Sequence, residues 1–236
     1  MSSYLGSDGI GKLYLGSTEI AKAYLGSTLI YESGGPTPHI EPVFYDYLIF
    51  DGTAMIQTDY VLPSGCSLRV PTGWEAEKKA QTLFVANGGT GRISTIYGGN
   101  TNATRRQVVP CYDSASALAT NRYLNFSYSS FVFFMTSKRF GWGTTAYTYT
   151  KGSVHPTTGI CFGGGGATAA FTGKMKTFEV FGSETENLTT ASAFDSYTPV
   201  ATFRPCTYDG EAGFWYVEGN KFFGNTAGSG QLTASN

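Results

Sequence analysis

Three near-copies of one ten-residue phrase open the chain: "SYLGSDGIGK LYLGSTEIAK AYLGSTLIYE" fills residues 3–32, and Tyr4, Tyr14 and Tyr24 each begin a Tyr-Leu-Gly-Ser. Coiled coils repeat on about seven or eleven residues and helical solenoids on about thirty or more, so this period fits neither. It fits a short strand and a turn. Ile10, Lys12 and Tyr14 alternate with Gly11, Leu13 and Leu15, and the next copy sets Ile20, Lys22 and Tyr24 against Ala21, Ala23 and Leu25. Gly-Ser-Asp or Gly-Ser-Thr supplies the turn, because glycine tolerates positive φ and the hydroxyls bond to nearby backbone. The pattern predicts a small β-meander over residues 1–33.

Such short strands cannot stand alone, and their Leu/Ala face has no second layer within the segment. The rest of the chain, other copies of it, or a larger scaffold must cover that face. We read the repeat as an oligomerisation or anchoring element. Its candidate contact residues are Tyr4, Leu5, Leu13, Tyr14, Leu15, Ala23, Tyr24 and Leu25.

The remaining composition points the same way. With 31 glycines, 17 Phe and 16 Tyr in 236 residues, and only 14% charged residues, the chain has an all-β profile with almost no helix expected. A net charge of −1 without a basic run gives no footprint for nucleic acid or an anionic membrane. The longest apolar run, "FVFFM" (131–135), is far short of a membrane span, and "MSSYLGSDGIG" lacks the basic and apolar parts of a secretory signal. Cytoplasmic synthesis is therefore expected, unless a leader has been removed. Cys66, Cys111, Cys161 and Cys206 are scattered without a Cys-x-x-Cys, and are expected to be buried free thiols.

"ESGGPTPHIEP" (32–42) reads as an extended linker, which places a boundary across residues 34–41 between the repeats and a domain over 42–236. Beyond it, "VFYDYLIF", "TAMIQ", "SLRV", "TLFVA", "RISTIY", "RYLNFSY", "FVFFM", "AYTYT" and "KMKTFEVF" are candidate strands separated by Gly/Asn/Thr turns. This spacing is that of a sandwich or barrel and not of βαβ units. "FVFFM" is apolar on both faces and should lie centrally, covered on each side.

"YLIFDGTAMIQTDYVLP" (47–63), "FTGKMKTFEVF" (171–181) and "VATFRPCTYDGEAGFWYVEGNKFFGNTAGSGQLTA" (200–234) resemble the opening strands, late core strand and tail of concanavalin-like, laminin-G-like jelly-roll domains found in tailed bacteriophages of gut bacteria. The Lys-x-Tyr-Leu-Gly-Ser-Thr modules likewise resemble N-terminal segments of phage structural proteins. Residues 98–170 match in strand character alone. The resemblance implies a virion fibre, tail or head decoration, a homotrimer held to other virion proteins through its repeats, with an outward jelly roll that touches host-surface glycans. Relatives often carry calcium on loop carboxylates, but the seven aspartates here are dispersed and form no Asp-x-Asp-x-Asp-Gly.

Candidate chemistry is sparse. Of the two histidines, His39 falls in the linker and His155 beside Pro156; a Gly-x-Ser-x-Gly elbow is missing. "CFGGGGATAAFTGKMK" fails as a phosphate loop, because Met175 follows Gly173-Lys174 where Ser or Thr should hold magnesium. Glu75/Glu77 and Glu184/Glu186 read as solvated loop residues and not as a glycosidase pair. No enzyme activity, cofactor or metal is expected. Glycan binding requires less, an exposed aromatic face with polar groups around it. Trp142, between glycines in "RFGWGTTAYTYT", with Tyr147 and Tyr149, and Trp74, in a polar loop, are the candidates; ordinary packing or a subunit contact competes for each. A soluble lectin and a polysaccharide-degrading enzyme remain the alternative readings.

Overall fold

The computed structural model describes residues 14–15, 18–19, 22–25, 28–32, 41–76, 81–88, 91–99, 106–114, 123–124, 131–164 and 171–236. The chain divides into two compact units, Met1–Glu41 and Pro42–Asn236.

In the first unit, β1 (Tyr14–Leu15) pairs with β2 (Thr18–Glu19), and β3 (Lys22–Leu25) pairs with β4 (Thr28–Glu32). Leu15 lies opposite Thr18, and Leu25 opposite Thr28. The pairing therefore brackets each Gly-Ser with two strand ends, the spacing of a two-residue hairpin connection. In both pairs the Leu of Tyr-Leu faces its own following Thr, while Tyr14 faces Glu19 and Tyr24 faces Leu29. Tyr4, Leu5 and Leu13 lie outside the described residues.

The second unit is all-β, built from antiparallel strands: β5 (Val43–Phe44), β6 (Tyr47–Asp51), β7 (Ile56–Val61), β8 (Ser67–Ala76), β9 (Gln81–Gly88), β10 (Gly91–Gly99), β11 (Arg106–Ser114), β12 (Tyr123–Leu124), β13 (Phe131–Met135), β14 (Arg139–Trp142), β15 (Thr145–Thr148), β16 (Gly159–Phe162), β17 (Thr172–Met175), β18 (Phe178–Phe181), β19 (Ala201–Tyr208), β20 (Glu211–Tyr216), β21 (Lys221–Phe223) and β22 (Leu232–Ser235). One sheet runs β12-β11-β10-β9-β16-β7. The larger runs β15-β14-β13-β8-β18-β19-β20-β21, with β5 on β19, β17 joining β6 to β8, and β22 on β6.

Aromatic rings from both sheets meet in one core. Phe84 of β9 contacts Phe133 and Phe178 of the larger sheet at centroid distances of 6.4 and 5.0 Å, and Phe162 of β16 contacts Phe178, Phe203 and Phe214 at 5.2, 5.5 and 4.8 Å. Two antiparallel sheets sharing such an interior make a β-sandwich.

The larger sheet is also covered on its other face. Alternation along β8 sends Leu68 and Val70 into the main core and Arg69 to the opposite side; β18 does the same with Phe178 and Val180 against Phe181. There Phe134, Phe181, Ala191 and Phe194 form a second cluster beneath two 3₁₀ turns, Ser183–Thr185 and Ser192–Ser196. "FVFFM" accordingly forms β13 between β14 and β8, with Phe133 and Met135 in one cluster and Phe134 in the other.

In the second unit, β11, β14, β16 and the four strands of the tail, β19 to β22, were not among the candidate strands. β11 contains Pro110, a residue that discourages a strand reading, yet it lies beyond the stretch paired to β12, which involves only Arg106 and Gln107. β14 and β16 are four residues each and contain glycine. β8 continues past Pro71, so Trp74 and Glu75 lie in a strand and not in the expected loop. The register explains why: Val70 faces Phe133 and Trp74 faces Phe131, so three residues of β8 stand against one of β13, and this bulge takes up Pro71 and Gly73.

Asp51 closes the seam between β6 and the chain end. Its carboxylate accepts from the backbone N–H groups of Thr53 (2.8 Å), Ala54 (3.0 Å) and Gln231 (2.6 Å) and from the Thr53 hydroxyl (2.9 Å). The Thr53 backbone bond leads the stabilisation of the charged form, and the pKa falls from 3.8 to about 2. Because the folded value is the depressed one, this stabilisation is present above the unfolded pKa and disappears as pH falls through about 2. Asp51→Ala is expected to cost about 1–2 kcal/mol at neutral pH, reduced by solvent exposure, with the cost shrinking as pH falls through about 2 and vanishing only below it. Urea titrations of both chains across this pH range check the convergence.

Candidate functional site

The sequence candidates separate on inspection. Trp142 ends β14, its backbone opposite Phe133 on one side and Thr145 on the other. The glycines beside it serve the hairpin itself. A Cβ on Gly141 would sit 2.1 Å from the Thr145 carbonyl oxygen, and Gly143 turns the chain at φ +52°. The close approach that Gly141 permits is therefore made by β15. The side chains of Trp74 and Trp142 lie outside the described residues.

Tyr147 and Tyr149 both pack on the main core. The Tyr147 ring stacks on Phe140 at 6.0 Å, and Tyr149 meets Tyr112 at 6.4 Å while its hydroxyl donates to the Thr136 carbonyl. Burial, first, then the Asp113 carboxylate push the Tyr149 phenol well above its usual pKa. These two rings are half-buried packing groups. Trp215 is buried, 5.3 Å from Tyr208, and Tyr216 stacks on Phe203 at 5.3 Å.

His155 also has a structural place. Its Nδ1 lies 2.8 Å from Asp113 Oδ1 and its Nε2 2.7 Å from the Leu62 carbonyl oxygen, so both ring nitrogens are engaged. Asp113 itself is buried, at φ +51°, with Lys151 Nζ 3.6 Å from its second oxygen. All four cysteines are buried free thiols. Burial pushes Cys66 and Cys206 up to about 12 and Cys161 to about 11, which keeps them protonated and weakly nucleophilic at neutral pH. Among the described residues, no three His, Cys, Asp or Glu side chains are grouped to hold a metal ion, and no helix is long and apolar enough to cross a membrane.

A concave site lies instead over the second cluster. The turn Gly143–Thr144, Val132 of β13, and Ala191, Ser192 and Asp195 surround a cavity of about 330 Å³ that is also lined by Arg69. A main-chain bond links two of its walls, and side-chain bonds to Glu186 fix the chain that follows the first 3₁₀ turn. Ala191 N–H donates to the Gly143 carbonyl at 3.0 Å; Thr136 Oγ1 donates to the Glu186 carbonyl at 2.8 Å; Lys138 Nζ reaches Glu186 Oε1 at 2.7 Å. The Lys138 and Ser137 bonds hold the Glu186 carboxyl below its ordinary range.

Arg69 is 8% exposed and is held from several sides. Register places Glu179 and Phe134 directly opposite it on the two flanking strands. Nε donates to Glu179 Oε2 at 2.7 Å; Nη1 donates to Asp195 Oδ1 at 2.5 Å and to the Ala191 carbonyl at 3.2 Å. The guanidinium lies 5.4 and 5.8 Å from the Phe181 and Phe194 ring centroids. Sequence reading found "SLRV" as a strand but not this site. The available signal was a complementary pair of charges, each between apolar neighbours: Leu68-Arg69-Val70 and Phe178-Glu179-Val180.

Fold and site together define an all-β protein whose larger unit carries, among the described residues, a shallow cavity on the outer face of a sandwich sheet. No protein-family model matches the chain, and no curated protein matches it.

Proposed function

We propose that this chain is a structural component of a bacteriophage particle, a head or tail fibre or decoration protein. Its N-terminal repeats hold it as a homotrimer and to other virion proteins, and its C-terminal unit, a concanavalin-like, laminin-G-like jelly roll, contacts host-surface glycans. The observation that carries this reading is the division of labour at Glu41/Pro42: short two-stranded hairpins built on a ten-residue period, beside a unit with its own aromatic core. Two-stranded hairpins are marginal alone, and symmetric association would cover them. Three linked copies then convert weak single-site contacts into avid attachment. The engaged histidine and raised thiol pKa values support a binding role over catalysis.

Light scattering on a sizing column tests the assembly. The full chain is expected at trimer mass, and a chain beginning at Pro42, or one carrying Leu13→Asp, Leu15→Asp and Leu25→Asp, at monomer mass with unchanged circular dichroism. A monomeric full chain would remove the trimer and put the soluble-lectin reading ahead.

A further inference from the structure

The geometry points to the Arg69 cavity as a binding site for a neutral sugar, held through two neighbouring hydroxyls between Arg69 Nη2 and Asp195 Oδ2. A guanidinium carries five N–H donors. Three are used, by Glu179, Asp195 and the Ala191 carbonyl, and Nη2 has no acceptor among the described residues. An arginine this buried, lining a cavity with an amino group to spare, leaves a strong donor for a ligand. Asp195 supplies the complement. Oδ1 is bound to Arg69, Oδ2 has no partner among the described residues, and the side chain is 71% exposed.

Charge selects the ligand class. Arg69 is matched by both Glu179 and Asp195, so the site carries a net negative charge and disfavours a carboxylate or phosphate. A cation would meet the guanidinium in the same cavity. An uncharged ligand that both accepts and donates satisfies both free groups, and adjacent hydroxyls on one ring do so at short spacing. The volume, about 330 Å³, lies at the small end of ligand cavities and suits one sugar ring. Val132 and Ala191 offer the apolar side, Thr144 and Ser192 further hydroxyls.

This site rests on the glycan-contact part of the proposed function and is separable from the assembly part. Saturation-transfer NMR on the full chain, with methyl α-glucoside, α-galactoside, α-mannoside and β-N-acetylglucosaminide at millimolar concentration, provides the test. Transfer to at least one is expected, with weaker transfer to methyl glucuronide than to the glucoside. Asp195→Ala should weaken binding by about tenfold or more, the worth of a hydrogen bond to a charged group. Ser192→Trp, which changes an exposed residue and leaves the Arg69 contacts in place, should abolish it by filling the cavity. Lys221→Ala, in β21 and outside the cavity lining, should bind as the parent does. No transfer to any of the four, stronger transfer to the glucuronide, or transfer unaffected by Ser192→Trp would overturn the site. If transfer is absent while the full chain still runs as a trimer, the cavity alone is refuted. A monomer that binds sugar refutes the assembly and keeps the cavity.

Discussion

Phe162→Ala is expected to be among the most destabilising single changes in the C-terminal unit, at about 3–5 kcal/mol. Phe162 is fully buried at the end of β16, and its ring lies within 6 Å of Phe178, Phe203 and Phe214, which belong to three strands of the opposite sheet. Truncation removes the group by which the smaller sheet reaches the larger one there. The gap does not close by collapse, because two of the three surrounding rings are themselves packed on others, Phe178 on Phe84 and Phe203 on Tyr216. Urea unfolding should show a much lower midpoint with an unchanged slope. Val217→Ala, at a side chain 41% exposed, should stay within about 0.5 kcal/mol. A Phe162→Ala cost below about 1 kcal/mol would mean that the two sheets do not share this core.

How far the sequence announced this architecture depends on whether the governing signal is local. "FVFFM" is apolar on successive residues, and only a strand covered on both faces tolerates that; β13 has a cluster on each face. Asp209-Gly210 between Tyr208 and Glu211 is the turn pair of a two-residue hairpin, and both residues have positive φ, 50° and 79°. In each case neighbouring residues carry the information. β8 and β11 were obscured by proline, whose cost depends on what lies across the ladder, and that is set by residues far along the chain. Trp142 drew attention because exposed tryptophan between glycines suits a ligand, yet Gly141 is small to admit Thr145 of the adjacent strand. The cavity was illegible for the same reason. Glu179 and Asp195 lie 110 and 126 residues from Arg69, and they reach it by separate routes, Glu179 through the pairing of β8 with β18 and Asp195 on the 3₁₀ turn Ser192–Ser196.

Arg69→Ala is expected to cost about 3–5 kcal/mol, while a double change to Arg69→Met and Glu179→Leu should cost distinctly less. The single change leaves Glu179, whose side chain is 13% exposed, without the cation that balances it. It also strips the Phe181 and Phe194 rings of the guanidinium packed against them, and these rings form the floor under the 3₁₀ turn Ser192–Ser196. Removing both charges removes the uncompensated one, and Met restores apolar contact to the two rings. Asp195 needs no compensation in either variant, since most of its side chain meets water. A double-mutant cycle in urea therefore separates two accounts of Arg69. With Arg69→Met and Glu179→Leu as the two single variants, a double variant more stable than Arg69→Met alone identifies the buried charge as the source of the loss. It would also leave a cavity of similar shape without its spare donor, so a folded double variant that still bound the methyl glycosides would overturn the role given to Arg69 Nη2. Strict additivity of the two single costs would show that Arg69 and Glu179 act independently, against the 2.7 Å bond between them.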